Sequence, residues 1–167
     1  NIPEGKVTSG TSGICAFTGS SFRKYIINET VTEIGNYAFF DCEGEIVINS
    51  NQLSYYALGG FTSKFSKVTF GENVTSIPDH ACLRNTNLTT VIIPESVTSI
   101  GDYAFNGCTN MTDLYCYAKI PPSTGENTFD ESAYQNVKLH VPTKYQKLYQ
   151  AVDPWNKFSN FVIDVTA

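Results

Sequence analysis

The chain has 167 residues, 13% aromatic and 16% charged, and carries a net charge of −5 from 16 acidic and 11 basic side chains. Such an apolar supply with modest charge excludes a disordered chain, and the length suits one domain with a continuous core. The acidic balance argues against a nucleic-acid partner, whose phosphates require a basic stripe, and no apolar run approaches the ~20 residues that a membrane-spanning helix needs.

The sequence opens at Asn1 without Met or an apolar leader, which reads as a processed or trimmed start, with any export signal or lipid anchor outside it. Residues 1–21 are rich in Gly, Ser and Thr and are predicted to cover the open end of the repeats that begin at Phe22, with a weak strand at Ile14 to Phe17. From Phe22 onward the chain copies itself. Phe22, Phe65, Leu88, Met111, Tyr134 and Phe158 occupy one recurring position, with a worn repeat near Glu43, at implied steps of 21, 22, 23, 23, 23 and 24 residues. A unit this short cannot bury an apolar stripe alone, so it must stack on copies of itself.

Each repeat opens with a strand-like alternation: Tyr25-Ile26-Ile27, Ile46-Val47-Ile48, Val68-Thr69-Phe70, Val91-Ile92-Ile93, Leu114-Tyr115-Cys116, Val137-Lys138-Leu139 and Phe161-Val162-Ile163. The outer two residues of each trio are expected to point inward. Two more inward columns are predicted, one of Val31, Leu53, Val74, Val97 and Ile120, the other of Phe39, Phe61, Cys82, Phe105 and Phe129. Ala104, Phe105 and Cys108 have the spacing of one helical or 3₁₀ face. The second repeat is degenerate, and Pro121-Pro122 forces an extended path in the fifth. Thr143 to Val152 reads as the one proper helix, with Thr143 as N-cap and Tyr145, Leu148, Tyr149 and Val152 on its apolar face. Asp153-Pro154 ends it, and Trp155 and Phe158 turn beneath the last repeat.

Two near-intact motif copies carry a family resemblance. Val97-Thr98-Ser99-Ile100-Gly101-Asp102-Tyr103-Ala104-Phe105-Asn106-Gly107-Cys108 comes after Ile92-Ile93-Pro94, and Val31-Thr32-Glu33-Ile34-Gly35-Asn36-Tyr37-Ala38-Phe39-Phe40-Asp41-Cys42 has the same pattern. Val74-Thr75-Ser76-Ile77-Pro78-Asp79-His80-Ala81-Cys82 is a looser third copy. From Phe22 to Val141 the chain resembles the BspA-like leucine-rich repeat family. The resemblance implies an α/β repeat fold: a right-handed leucine-rich-repeat solenoid with one parallel β-sheet, short helical, 3₁₀ or loop returns, and a C-terminal helical cap. The division is then 1–21 as N-terminal cap, 22–141 as about five repeats and 142–167 as C-terminal cap with the final strand, all one domain. It further implies a secreted or cell-surface bacterial protein used for adhesion or binding, with no catalytic activity and no cofactor.

The side chains themselves point the same way. Cys42, Cys82, Cys108 and Cys116 fall at inward positions and read as buried thiols, while Cys15 lies outside the register. His80 and His140 sit on different repeats and sides, which makes a shared metal improbable, and His140 is expected to face outward. No glycine-rich phosphate loop, HExxH or GxSxG occurs. What remains is the outward face of the strands, expected to carry two columns. One is Lys24, Glu45, Lys67, Thr90, Asp113, Asn136 and Asn160; the other is Ile26, Val47, Thr69, Ile92, Tyr115, Lys138 and Val162. Alternating charges favour the register in the first. The apolar stretch of the second either marks a contact surface or reflects only that β-branched residues suit strands. Ile26, Val47, Thr69, Ile92, Tyr115 and Tyr117 are therefore the candidate binding residues, for a partner protein, a glycan or a dimer. A carbohydrate-binding accessory protein, with Tyr115 and Tyr117 near Tyr55 and Tyr56, and a structural stalk are the alternatives.

Overall fold

The computed structural model describes residues 5–7, 22–58 and 63–164. Seven strands form one open parallel sheet in unbroken chain order: Lys24–Ile27, Glu43–Ile48, Lys64–Phe70, Thr90–Ile93, Asp113–Cys116, Lys138–Pro142 and Asn160–Asp164. Lys24–Ile27, Thr90–Ile93 and Asp113–Cys116 alternate buried and more exposed residues, so one face is core and the other is turned away from it, whereas Lys138–Pro142 is buried along nearly its whole length. Ile27, Ile48, Phe70, Ile93 and Cys116 are level with one another and buried, as the repeat spacing requires.

The return segments are also hydrogen-bonded from repeat to repeat. Short parallel strands at Ser76–Ile77, Ser99–Ile100 and Ser123–Thr124 form a second sheet, and Gly5–Val7 pairs with Val31–Ile34 in a third. That first pairing had no signal in the sequence, and the strand expected at Ile14 to Phe17 lies outside the described residues. Beyond these strands the amides take two kinds of partner. His80, Cys82 and Arg84 donate to the carbonyls of Asp102, Ala104 and Asn106 in the next repeat, while Leu83 and Asn85 donate back to His80 and Cys82 in their own. Tyr103 and Phe105 donate to Glu126 and Thr128, and Asn106 and Cys108 close locally. A 3₁₀ helix would turn all its amides inward along its own axis. Here left-handed residues at Tyr37 (φ 55), Tyr56 (59), His80 (58) and Tyr103 (54) break the spiral, as do Asp41, Arg84 and Gly107 four residues after three of them. Amides are thereby released toward the neighbouring repeat, and the expected helical face at Ala104, Phe105 and Cys108 is a run of turns.

This geometry explains the motif Gly-Asp-Tyr-Ala-Phe. The Asp79 carboxylate accepts the Asp102 amide at 2.9 Å, and Asp102 in turn accepts that of Glu126 at 2.7 Å. Gly101 and Gly125 leave room for those carboxylates. The Tyr takes the left-handed turn. Ala38, Ala57, Ala81 and Ala104 are fully buried at one place in the repeat, where a small side chain fits between close-packed neighbours. The Phe enters the core: Phe39, Phe105 and Phe129 are buried, with Phe105 and Phe129 stacked at 5.6 Å.

Several inward assignments need correction. Phe22 is 60% exposed rather than buried, although Phe65, Leu88, Met111, Tyr134 and Phe158 hold their places. Its successor in the worn repeat is Gly44, paired with Phe65 at φ +110, so the column lacks a side chain beside Phe22. Leu53 is level with Ile34 and not with Val31, and the buried Ser50 takes the Val31 place, donating to the Val31 carbonyl at 2.7 Å. Ile120 is 77% exposed. Pairing resumes at Ser123 with Ser99, so counting back puts Pro121 level with Val97. Phe61 lies outside the described residues; Leu58, donating to Ala81 as Cys82 donates to Ala104, fills that slot. In the last strand Phe161 is half-buried and Ile163 is 50% exposed.

The largest correction falls at the sixth strand. A six-residue helix, Glu131–Asn136, lengthens the fifth return and moves the strand to Lys138–Pro142. Leu114 therefore pairs with Leu139, and Tyr115 with His140. The predicted helix at Thr143 to Val152 is shorter, a 3₁₀ turn at Thr143–Tyr145 followed by Gln146–Tyr149. Its flanking residues make no side-chain cap, Leu148 and Val152 are exposed, and only Tyr149 is fully buried. Trp155 is the anchor expected of it: it is fully buried and donates from Nε1 to the Pro122 carbonyl at 2.8 Å.

Replacing Gly101 by Ala tests this packing. An added Cβ would overlap Asp79 Oδ1 and lie 2.5 Å from the Asp79 amide nitrogen, which belongs to backbone and cannot swing away. The expected cost is about 3 kcal/mol, or a fall in Tm of about 10 °C, read by thermal denaturation; an unchanged Tm would contradict the packing.

Candidate functional site

On the open face of the sheet, Ile26, Val47, Thr69, Ile92 and Tyr115 are level with one another in five neighbouring strands. All five are half-exposed, as is Tyr117 just beyond its strand. The row continues through His140 and Val162, not Lys138 and Val162, because of the longer fifth return. Lys138 belongs instead to the charged row, giving Lys24, Glu45, Lys67, Thr90, Asp113, Lys138 and Asn160; Asn136 is the end of the helix and has no place in it.

His140 is on the outward row yet only 9% exposed. Its ring stacks on Tyr115 at 4.0 Å, and Nε2 lies 2.8 Å from Asp113 Oδ1. Burial alone would raise the Asp113 carboxyl. Hydrogen bonds from His140 and Thr112, with the charges of His140 and Lys138, outweigh it and hold Asp113 below the usual carboxylate range. Tyr115, Asp113 and His140 thus form one fixed cluster at the end of the apolar row. The His140 contribution was hidden from sequence reading by the two-residue slip; its signal was the helix-forming run Glu131-Ser132-Ala133-Tyr134.

Beyond the row, Tyr117 lies 6.3 Å from Tyr115 between ring centres and lines a cleft at the carboxyl ends of the strands. Glu72, Glu95, Lys119, Pro142, Lys144 and Tyr145 complete it, in about 490 Å³. On the return side, a second aromatic row tracks the left-handed residues. Tyr37 stacks on Tyr56 at 5.5 Å, Tyr56 meets His80 at 4.9 Å, and His80 stacks on Tyr103 at 5.3 Å. Tyr55 and Tyr56 belong to this row and are not beside Tyr115 and Tyr117. Its rings spend their faces on one another, and pairs of this kind contribute about 0.5–1.5 kcal/mol. That is the scale of the ~1–3 kcal/mol strain of each left-handed residue. The row therefore stabilises the turns.

Thiol chemistry finds no support. Cys42, Cys82, Cys108 and Cys116 are free and buried, and burial pushes Cys108 up to about 12, Cys116 up to about 11 and Cys82 well above its ordinary value. Thiols raised in this way, as at Cys82, Cys108 and Cys116, stay protonated and unreactive at neutral pH. Cys15 lies outside the described residues. Among the described residues no three His, Cys, Asp or Glu side chains converge as metal ligands, and no helix is long and apolar enough to cross a membrane.

The repeated motif, the sequential parallel sheet and the short returns meet one family pattern, the BspA type leucine rich repeat region, which matches residues 8–112 and 77–152 in six copies. The chain belongs to that family. No curated protein and no solved structure matches it. Leucine-rich repeats of this type are generally non-enzymatic and are compatible with a surface module for protein interaction. In this BspA-type chain the outward side of the sheet carries level rows of side chains with a regular chemical pattern.

Two measurements check these assignments. A carboxylate held below its usual range binds fewer protons folded than unfolded, so Asp113 adds stability that is fully present above about pH 5 and is lost as pH falls through its lowered value. Asp113→Asn is expected to cost about 1 kcal/mol at pH 7, with the difference from the parent closing below about pH 4 in denaturant titrations. In the aromatic row, His80 Nδ1 is buried without a partner. His80→Tyr, which matches Tyr37, Tyr56 and Tyr103 at the same position, removes that orphan and is expected to raise Tm by about 2–4 °C.

Proposed function

We propose that this BspA-type repeat region is a non-enzymatic interaction module of a secreted or cell-surface protein, holding a protein partner against the open face of its sheet. The observation that carries this reading is the level row Ile26, Val47, Thr69, Ile92 and Tyr115, half-exposed across five adjacent strands. Strands in parallel sheets ordinarily have cover on both faces, and among the described residues the returns cover one face. We take the whole as a right-handed solenoid, closed at its carboxyl end by the segment that carries Tyr149 and Trp155. The described returns pack on the other side, which supports a partner on the sheet face.

The neighbouring charged row sets the partner's character. Lys24, Glu45 and Lys67 alternate in sign, as do Asp113 and Lys138 farther along. Alternation favours a mixed-charge protein surface and disfavours a polyanion or polycation, since like charges meet at every second strand. The fixed Asp113–His140–Tyr115 cluster would serve as a preorganised anchor, because its rings lose little side-chain freedom on binding.

Ile92→Lys and Tyr115→Lys place a charge in the middle and at the end of the row without touching the core. Against a panel of immobilised extracellular-matrix and cell-surface proteins, the parent is expected to bind at least one. Each variant is expected to lose tenfold or more of that affinity, about 1.4 kcal/mol, with Tm unchanged in Ile92→Lys and lower by a few degrees in Tyr115→Lys, which gives up the stack on His140. Binding that survives both substitutions would remove the sheet face from the account.

A further inference from the structure

The cleft beyond Tyr117 is separate from the row on the sheet and has its own chemistry. We infer that it is a binding site for a neutral saccharide. Four successive repeats build it, each from residues at or just beyond the carboxyl end of its strand. The third supplies Glu72, the fourth Glu95, the fifth Tyr117 and Lys119, and the sixth Pro142, Lys144 and Tyr145. The stacking register therefore brings these side chains together, and no local motif announces them. Its volume of about 490 Å³ lies in the range of small-ligand sites.

Two features select the ligand class. The first is the pairing of apolar platforms with polar rims. Tyr117 and Tyr145 are half-exposed and Pro142 is buried against the wall, which suits the C–H face of a pyranose ring. The second is charge balance. Two carboxylates, Glu72 and Glu95, face two ammonium groups, Lys119 and Lys144, so the cleft has no net charge. Lys119 is tied to Glu95 in an ion pair, and the Lys144 ammonium sits 5.6 Å from the centre of the Tyr145 ring. Among the described residues the Glu72 carboxylate has no partner, which leaves an acceptor for ligand hydroxyls. A phosphate or sulfate would meet Glu72 and Glu95. A cation would meet the lysines. A neutral sugar presents donors and acceptors together, and both are answered here.

This site stands whether or not a protein occupies the sheet face, and the test keeps the two apart. The probes are cellotriose, maltotriose, mannotriose and triacetylchitotriose, with a sulfated heparin tetrasaccharide as the charged control, each titrated into the intact chain. The readouts are calorimetry and ¹H–¹⁵N chemical-shift mapping. At least one neutral trisaccharide is expected to bind with shifts centred on Tyr117, Lys119, Lys144 and Tyr145. Affinity should fall tenfold or more in Tyr117→Ala and Tyr145→Ala, fall several-fold in Glu72→Gln, and stay unchanged in Ile92→Lys. The shift map of the unmodified chain decides the location even if a tyrosine variant folds poorly. The site is overturned if no neutral trisaccharide binds by ~10 mM, a concentration above the millimolar range of weak specific ligands, if only the sulfated control binds, or if the shifts fall elsewhere.

Discussion

A repeat of some 23 residues has too little chain to hide its own apolar side, and every other property of this molecule stems from that constraint. Phe65, Leu88, Met111 and Tyr134 are buried only because neighbouring repeats lie above and below them. Burying a side chain of that size contributes about 1.5–3 kcal/mol, and none of it is open to an isolated unit. Stacking in turn requires that backbone amides reach across the gap between repeats on both sides of the core. On the sheet side ordinary parallel pairing does this. On the return side the left-handed residues do it, by sending amides such as His80, Cys82 and Arg84 toward the next repeat while the intervening ones close local turns.

The motif can therefore be read as a set of solutions to one packing problem. Gly clears space, Asp reaches across to an amide, Tyr turns the backbone and stacks, Ala admits close approach, and Phe fills the core. Departures from it are equally legible. Thr128 stands where the other repeats have Ala, and its hydroxyl donates to the carbonyls of Gly101 and Gly125, both at 3.1 Å. Asn127 replaces the Tyr and donates its amide to the Tyr103 hydroxyl at 3.0 Å. Asp130 accepts the Gly107 amide at 2.6 Å in place of a backbone carbonyl. The fifth repeat changes the residues but keeps the same contacts satisfied.

Much of this could be read from the residues alone, because apolar spacing and a recurring motif survive in the chain as pattern. The sheet order, the buried cysteines, the Trp155 anchor and the row Ile26 to Tyr115 belong to that category. What escaped was register where the repeat length changes. The short helix after Asp130 displaced the sixth strand by two residues, exchanged Lys138 for His140 and concealed the cluster with Asp113. A similar slip of three residues moved Leu53 to the Ile34 column, and Pro121 took the level assigned to Ile120. The cleft around Tyr117 was only half visible. Glu72, Glu95, Tyr117 and Lys144 are far apart in the chain and become neighbours solely through stacking. The aromatic row of Tyr37, Tyr56, His80 and Tyr103 had a signal, since all four hold one place in the repeat, but its meaning depended on a positive φ that spacing does not display.

Native-state hydrogen exchange tests the central claim most directly. If repeats are joined through both sides, the amides of His80, Cys82, Tyr103 and Phe105 should be protected to within about tenfold of the strand amides of Val91 and Leu114, since both would open only with the stack itself. Return-side amides that exchange at the rate of exposed loops, while the strands stay protected, would show that the sheet alone holds the repeats together and would contradict the account.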